Sequence, residues 1–466
     1  MALQSINPAT EEVLDTFEEF SSDRLDQALD RSVRAFDDWR HVSFDERSRL
    51  MRGAAGHLRG QKERLAGLIT AEMGKPIVEA EAEIEKCAWN CEFYAENAKR
   101  FLASQRVDSN ATESYVAFEP LGPVLAIMPW NFPFWQVIRF AAPALMAGNA
   151  ALLKHASNVS QCALAIEETF RSAGFPDGCF QTLLASGQQT EALIDDPRIR
   201  AVTLTGSDST GSKVGAASGR ALKKSVLELG GSDPFVVLVD ADVAAAAEAG
   251  VRARNQNTGQ SCIAAKRFIV VETVADEFEQ RFIDGVAHLK VGDPLQRKTQ
   301  IGPLARGDLR DDLEEQVRRS VDEGAHLALG GHGMEGRGYF YAPTVLTGVT
   351  AEMTAAREET FGPVAAVMRA RDTDEAISIA NQTPFGLGAS LWSRDIDRAR
   401  SLAKEVQAGS VFINGMVASD PRLPFGGIKR SGFGRELSEF GIQEFVNIQT
   451  VWIGPAAESK AGPAVE

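Results

Sequence analysis

Two series of short, unbroken apolar runs, each alternating with helical stretches, fill the chain from about residue 115 onward. The first series comprises 124–128 (VLAIM), 151–153 (ALL), 182–184 (TLL) and 201–204 (AVTL). The second opens near Gly231 and includes 235–239 (FVVLV), 268–271 (FIVV), 365–368 (AAVM) and 411–413 (VFI). A run without polar alternation predicts a strand covered on both faces, which is the situation in a parallel sheet flanked by helices. Residues 21–105 have a different texture. They are rich in Ala, Glu, Arg and Leu, with apolar residues at three- and four-residue steps, and predict helices. A chain of 466 residues is too long for one hydrophobic core, so two or three domains are expected.

The Gly-rich segment 330–338 interrupts the second series and predicts a surface turn. The segment 444–453 alternates like a strand. Coming after the second series, it needs an edge to join, and a partner subunit could supply one. Residues 456–466 read as a loose end. No internal repeat stands out.

Net charge is −15, from 49 basic and 64 acidic residues, which argues against nucleic acid or an anionic membrane as partner. The five cysteines (Cys87, Cys91, Cys162, Cys179 and Cys262) have neither zinc nor disulfide spacing, so no metal site is expected. Cys87 and Cys91, four apart, read as helix-face residues rather than ligands. Sparse cysteines suit a reducing compartment, and the expectation is cytoplasmic. Residues 1–8 carry no basic region followed by an apolar run, and no stretch approaches a membrane span.

The chemistry concentrates at Gly259-Gln260-Ser261-Cys262 and at Glu228, a lone acid in the apolar run 226–231 (VLELGG). A thiol on a tight turn and a carboxylate leaving a buried strand form a nucleophile and base pair suited to covalent catalysis at a carbonyl carbon. Burial between Leu227 and Leu229 is expected to raise the Glu228 pKa. For either residue in isolation, a small buried hydrophobe or a salt-bridged structural acid is the commoner outcome.

A nucleotide signal follows the run 201–204. Thr205-Gly206-Ser207-Asp208-Ser209-Thr210-Gly211 opens a helix, and helix N-terminal amides suit phosphate. It matches neither G-x-G-x-x-G nor a Walker A loop, because Ser212 precedes Lys213. After the run 151–153 come Lys154-His155-Ala156-Ser157, with no acid until Glu167. An acid here would favour NAD. A lysine and a small hydroxyl instead leave charge and room for a 2′-phosphate, so NADP is expected, with NAD as the alternative. His155 reads as a support for backbone rather than a ligand.

Six motifs taken together resemble the aldehyde dehydrogenase superfamily. They are Met128-Pro129-Trp130-Asn131-Phe132-Pro133, Thr205-Gly206-Ser207, Glu228-Leu229-Gly230-Gly231, Gly259-Gln260-Ser261-Cys262, Glu359-Thr360-Phe361-Gly362-Pro363 and the segment 424–432 (PFGGIKRSG). They occur in the family's order over nearly the whole chain. The runs 135–139 (WQVIR) and 154–156 (KHA) resemble the shorter bacterial succinate-semialdehyde dehydrogenases that use NAD(P).

The resemblance implies two Rossmann-like, doubly wound parallel-sheet domains plus a small β oligomerisation element. Residues 1–105 and 121–230 would bind dinucleotide, 231–425 would carry catalysis, and 106–120 with 440–455 would be oligomerisation strands. The implied assembly is a homodimer or homotetramer. Cys262 matches the nucleophile, Glu228 the general base and Asn131 the oxyanion donor. Trp130, Lys154, His155, Ala156, Ser157, Gly206 and Ser207 match the adenosine and phosphate path. Leu229, Glu359 and Phe361 match the nicotinamide end, and Gly230 and Gly231 would let backbone approach the cofactor.

The implied substrate is a small aldehyde with a distal carboxylate. Arg139, eight residues after Asn131, returns to the tunnel side if a helix starts after Pro133, and would clamp that carboxylate in bidentate fashion. Trp135 and Ser419 would complete the pocket. Some relatives carry a second arginine where this chain has Gln256. Glutarate semialdehyde and neutral aldehydes therefore stay open as substrates. So do an acylating enzyme that passes the acyl group to coenzyme A and, from another class, a thiol hydrolase.

Overall fold

The computed structural model describes residues 2–455; the segment 456–466, read above as a loose end, lies outside them. Four helices, Ser22–Trp39, Phe44–Gly60, Lys62–Met73 and Ile77–Phe101, occupy the region whose periodicity predicts helix. Their apolar faces join the strands 123–128 and 150–155 in one core. Ser21 and Ser43 start two of them, each accepting an N–H three residues on. Cys87 and Cys91 lie on Ile77–Phe101 and are wholly buried in that core.

The first apolar series builds a six-stranded sheet. Its order is Gly432–Phe433, Lys224–Glu228, Ala201–Thr205, Pro123–Met128, Ala150–His155, Phe180–Thr182. All neighbours are parallel except the added strand Gly432–Phe433. That strand can approach only because Gly432 has φ +106° and no side chain; a Cβ there would sit 1.9 Å from the Leu227 carbonyl oxygen. The run expected at 182–184 is displaced to Phe180–Thr182. Past Thr182 the backbone turns to receive the N-terminal segment, with the Phe20 N–H on the Leu184 carbonyl at 2.7 Å.

The second series gives seven strands ordered His326–Leu329, Thr344–Thr347, Val364–Ala370, Ala265–Val271, Asp233–Val237, Gly388–Trp392, Ser410–Ile413. Only His326–Leu329 runs antiparallel to its neighbour. In each sheet the strand order reverses beside its first-formed central strand, which leaves a crevice past the strands' carboxyl ends. Both sheets are therefore doubly wound.

A third, antiparallel sheet contains Val446–Ile453, Glu113–Pro120 and Gln105–Arg106. The late strand thus finds its partner within the chain rather than in another subunit. The hairpin Ala2–Ile6 with Val13–Glu18 was not evident from the sequence, because Val13–Glu18 is nearly all exposed and lacks an apolar face. Among the described residues no helix is long and apolar enough to cross a membrane.

Candidate active site

Two cavities meet at Cys262. One, of about 150 Å³, is lined by Phe132, Trp135, Arg139, Ser419 and Phe425. The other, of about 470 Å³, is lined by Trp130, Lys154, Gly206, Ser207, Leu229 and Glu359. Cys262 and Gln136 line both.

The wider cavity opens at the switch point of the six-stranded sheet. Met128 to Trp130 follow the strand Pro123–Met128, and Thr205 to Ser207 follow its neighbour Ala201–Thr205. Ser207 caps the helix Asp208–Arg220, accepting the Thr210 N–H at 3.3 Å, so the helix N-terminus faces the cavity. Lys154 adds a cation whose pKa burial lowers. Across the cavity the Phe361 ring meets the Trp130 ring edge-on at 5.8 Å. A long anionic ligand with flat rings fits this lining.

Eight of the ten residues expected to hold cofactor line this cavity: Trp130, Lys154, Ala156, Gly206, Ser207, Leu229, Glu359 and Phe361. His155 does not. Its Nδ1 lies 2.9 Å from the Ala156 N–H and 3.2 Å from the Met128 carbonyl, and its Nε2 lies 2.9 Å from the Pro133 carbonyl. Burial pushes its pKa down to about 4, so the ring is neutral and braces the Trp130-Asn131 turn. Ser157 does not line the cavity either; it stands exposed at the start of the short turn Ser157–Val159. Gly230 lines the wide cavity, and both glycines are also closely approached by protein groups. A Cβ on Gly230 would meet the Glu359 carboxylate at 2.2 Å, and one on Gly231 the Cys262 carbonyl at 2.8 Å. The Cys262 carbonyl is backbone, so Gly231 is needed whether or not a ligand is bound, while the Glu359 carboxylate beside Gly230 is the end of a flexible side chain.

The nucleophile turn is an unusual piece of backbone. Asn257, Thr258 and Gly259 have φ of 56°, 56° and 72° in succession, a left-handed run that only a dense set of bonds can hold. The Asn257 N–H donates to Glu79 at 2.6 Å, and its side chain donates to the Asn131 carbonyl at 2.8 Å. Thr258 Oγ1 accepts the Gly302 N–H at 2.9 Å. Arg254, wholly buried, donates to the Gly259 carbonyl at 2.7 Å and also to that of Gly362, tying the turn to the loop of Glu359 and Phe361. Lys266 donates to the Ser261 and Cys262 carbonyls, both at 2.9 Å, and lies 3.4 Å from Glu359. Sequence reasoning missed Arg254 and Lys266. The available signal was two buried-strand positions, Lys266-Arg267, carrying charge within an apolar run, which demands partners.

Burial pushes the Cys262 thiol up to about 12, against an opposing pull from Arg139 and Lys266. The sulfur is therefore protonated at neutral pH and needs a proton acceptor to become a nucleophile. Asn131 is fixed nearby. Its amide donates to the Gln260 carbonyl at 3.0 Å and accepts from Gln136 at 3.1 Å. A side-chain amide has two N–H groups, so one remains for an oxygen in the cavity that Asn131 and Cys262 both line.

Glu228 lies apart from this cluster. Its carboxyl is 2% exposed, lines neither cavity and has no hydrogen-bond partner. It faces Gly426 and shares its surroundings with Glu436 and Arg139. Burial first, then the Glu436 charge, raises its pKa well above the usual carboxylate range. Arg139 does line the narrow cavity, with its guanidinium 4.6 Å from the Phe425 ring centroid, but it is paired with buried Glu436. The free clamp expected of it is thus already engaged. Among the described residues no group of three or more His, Cys, Asp or Glu could hold a metal ion.

Residues 1–451 match the model of the aldehyde dehydrogenase family. A Synechocystis protein described as a probable succinate-semialdehyde dehydrogenase acting with NADP(+) is 52% identical over 453 residues, 97% of this chain and all of that one. Succinate-semialdehyde dehydrogenase [NADP(+)] 1 of Mycobacterium bovis is 50% identical over 456 residues, with the same coverage. The crystal structure of succinic semialdehyde dehydrogenase from Streptococcus pyogenes in complex with NADP+ superposes with a TM-score of 0.95. That protein is 36% identical, and the match covers 97% of this chain and all of that one.

Proposed function

Since the chain belongs to the aldehyde dehydrogenase family, we propose that it oxidises succinate semialdehyde to succinate with NADP, through a thioester on Cys262. The observation that carries this reading is that one thiol lines two cavities: a narrow one with cations, and a wide one at a sheet switch point. Relatives at 52% and 50% identity named for this activity support the substrate and the cofactor.

Cys262 gives up its proton to solvent in the cavity, the thiolate forms the S–C bond to the aldehyde carbon, and charge gathers on the oxygen. The free Asn131 N–H, with the Cys262 backbone N–H, stabilises that oxygen; losing one such donor typically costs about 100- to 1,000-fold. Trp130, Lys154, Gly206, Ser207, Glu359 and Phe361 would hold NADP+, which would supply the acceptor for the hydride lost as the thiohemiacetal becomes a thioester. Glu228 then takes a proton from the water that cleaves the thioester. To do so its carboxyl, which holds no hydrogen bond, swings from the Glu436 side toward Cys262. A water-activating base favours hydrolysis over passage of the acyl group to coenzyme A.

Residues 1–105 with 121–230 form the dinucleotide-binding unit in this proposal, 231–425 the catalytic unit, and 106–120 with 440–455 the oligomerisation strands. The six-stranded sheet, the seven-stranded sheet and the small antiparallel sheet supply the frame for each. Among the described residues the outer edge of Val446–Ile453 has no neighbour, and Ile448 and Trp452 are 61% and 53% exposed there. A second copy pairing at that edge gives the homodimer, or the homotetramer built from it. Five free cysteines fit a reducing, cytoplasmic setting.

Steady-state kinetics with succinate semialdehyde, glutarate semialdehyde, propanal and butanal, each with NADP and NAD, test the proposal. The expected result is the highest kcat/KM for succinate semialdehyde with NADP. No nicotinamide reduction with any aldehyde would refute it. Ser157→Glu places a carboxylate beside the expected 2′-phosphate. Like-charge juxtaposition costs a few kcal/mol, so the NADP-over-NAD preference should fall by about 30-fold. An unchanged ratio removes Ser157 from the phosphate subsite.

A further inference from the structure

The narrow cavity contains a second cation, from an element that the motifs do not reach. Lys86, on the helix Ile77–Phe101, lines it together with Cys262. Its ammonium donates to Ser419 Oγ at 2.8 Å and stands 4.4 Å from the Trp135 ring centroid. A lysine ammonium has three N–H donors, and Ser419 uses one.

The nearby acids are otherwise engaged. Asp420 pairs with Arg422 at 2.6 Å. Glu83 pairs with Lys75 and accepts the Phe134 and Trp135 N–H groups, both at 2.9 Å. Glu79 accepts the Asn257 N–H. Arg139 has its own carboxylate in Glu436. Among the described residues no acid forms an ion pair with Lys86; Asp420 and Glu83 act on its charge only from a distance. Burial, followed by the neighbouring Arg139 charge, lowers its pKa to about 8, because the distant Asp420 and Glu83 charges only partly oppose them. A carboxylate entering the cavity would supply that ion pair.

We infer that Lys86, with Ser419, seats the distal carboxylate of the substrate, while Arg139 serves chiefly to hold Glu436 beside Glu228. The inference rests on the proposed reading of the substrate. It also accounts for Gln256: the cation missing from that position is supplied by the helix Ile77–Phe101 across the cavity.

The test is steady-state kinetics of wild type, Lys86→Met and Lys86→Arg with succinate semialdehyde and with butanal, its analogue lacking the carboxylate. Truncating one member of a desolvated charge pair costs at least about 2 kcal/mol in affinity, or about 30-fold. Lys86→Met should therefore raise KM for succinate semialdehyde by about 30-fold or more. Its kcat should hold within about threefold and butanal kcat/KM should be unchanged, while Lys86→Arg restores much of the loss. Equal losses for both aldehydes, or an unchanged KM for succinate semialdehyde, overturn the inference. Lys86→Gln, which keeps a donor for Ser419, is read the same way if the methionine protein does not fold. A wild type that does not prefer succinate semialdehyde to butanal sinks the proposed function itself. A wild type with that preference, undiminished in the variants, sinks only the role of Lys86.

Discussion

Replacing Cys262 with alanine lowers kcat/KM for succinate semialdehyde by about 100,000-fold or more, the scale seen when a covalent nucleophile is removed. The loss is chemical rather than structural. The turn is held through backbone groups: Lys266 binds the Ser261 and Cys262 carbonyls, Arg254 the Gly259 carbonyl, and Glu79 the Asn257 N–H. None of these bonds involves the sulfur. The alanine protein should thus keep its melting temperature within a few degrees and bind NADP with nearly unchanged affinity. The other four thiols, on Cys87, Cys91, Cys162 and Cys179, are fully buried, whereas Cys262 is partly exposed and lines both cavities. They cannot substitute, and a thiol reagent applied to the native protein should lose its fastest-reacting site in the variant. Appreciable turnover by the alanine protein would end the thioester reading.

What the sequence reveals of this site follows from how local each feature is. The turn at 259–262, the strand carrying Glu228 and the Gly206-Ser207 helix start are each contained within a few residues, and each element forms where its pattern predicts, although the Glu228 carboxyl lines neither cavity. Interactions that join distant segments are not legible. Lys86 and Ser419 are 333 residues apart and belong to different elements, so neither marks the other. Arg139 reads as a free guanidinium until Glu436 is brought against it. Gly230 and Gly231 look like room for a ligand, yet Glu359 and the Cys262 carbonyl also approach them closely. At the level of the fold, the apolar runs mark most strands because burial on both faces needs no partner's identity to be recognised. The exposed hairpin strand Val13–Glu18 and the two-residue strand Gly432–Phe433 carry no such pattern.

The position of Glu228 gives the second large effect. Glu228→Gln should lower kcat by about 100- to 10,000-fold, the range typical of a lost general base, and should alter the time course as well as the rate. A glutamine side chain has nearly the same shape, so the pocket beside Gly426 accepts it and the fold survives. It cannot accept a proton from water. If deacylation is the step Glu228 serves, rapid mixing of the variant with aldehyde and NADP should give a burst of reduced nicotinamide approaching one equivalent per active site. Slow turnover should follow, with the acyl group held on Cys262 and detectable by mass spectrometry. The raised pKa fixes the pH response of the wild type. A base whose proton affinity is increased by burial and by Glu436 must be ionised to act, so kcat rises with pH through a range above that of an ordinary carboxylate. The glutamine variant should lack that rise. A variant that turns over at the wild-type rate, with the same pH profile, would place the base elsewhere. A variant that is slow but shows no burst would move the role of Glu228 forward, to removal of the Cys262 proton.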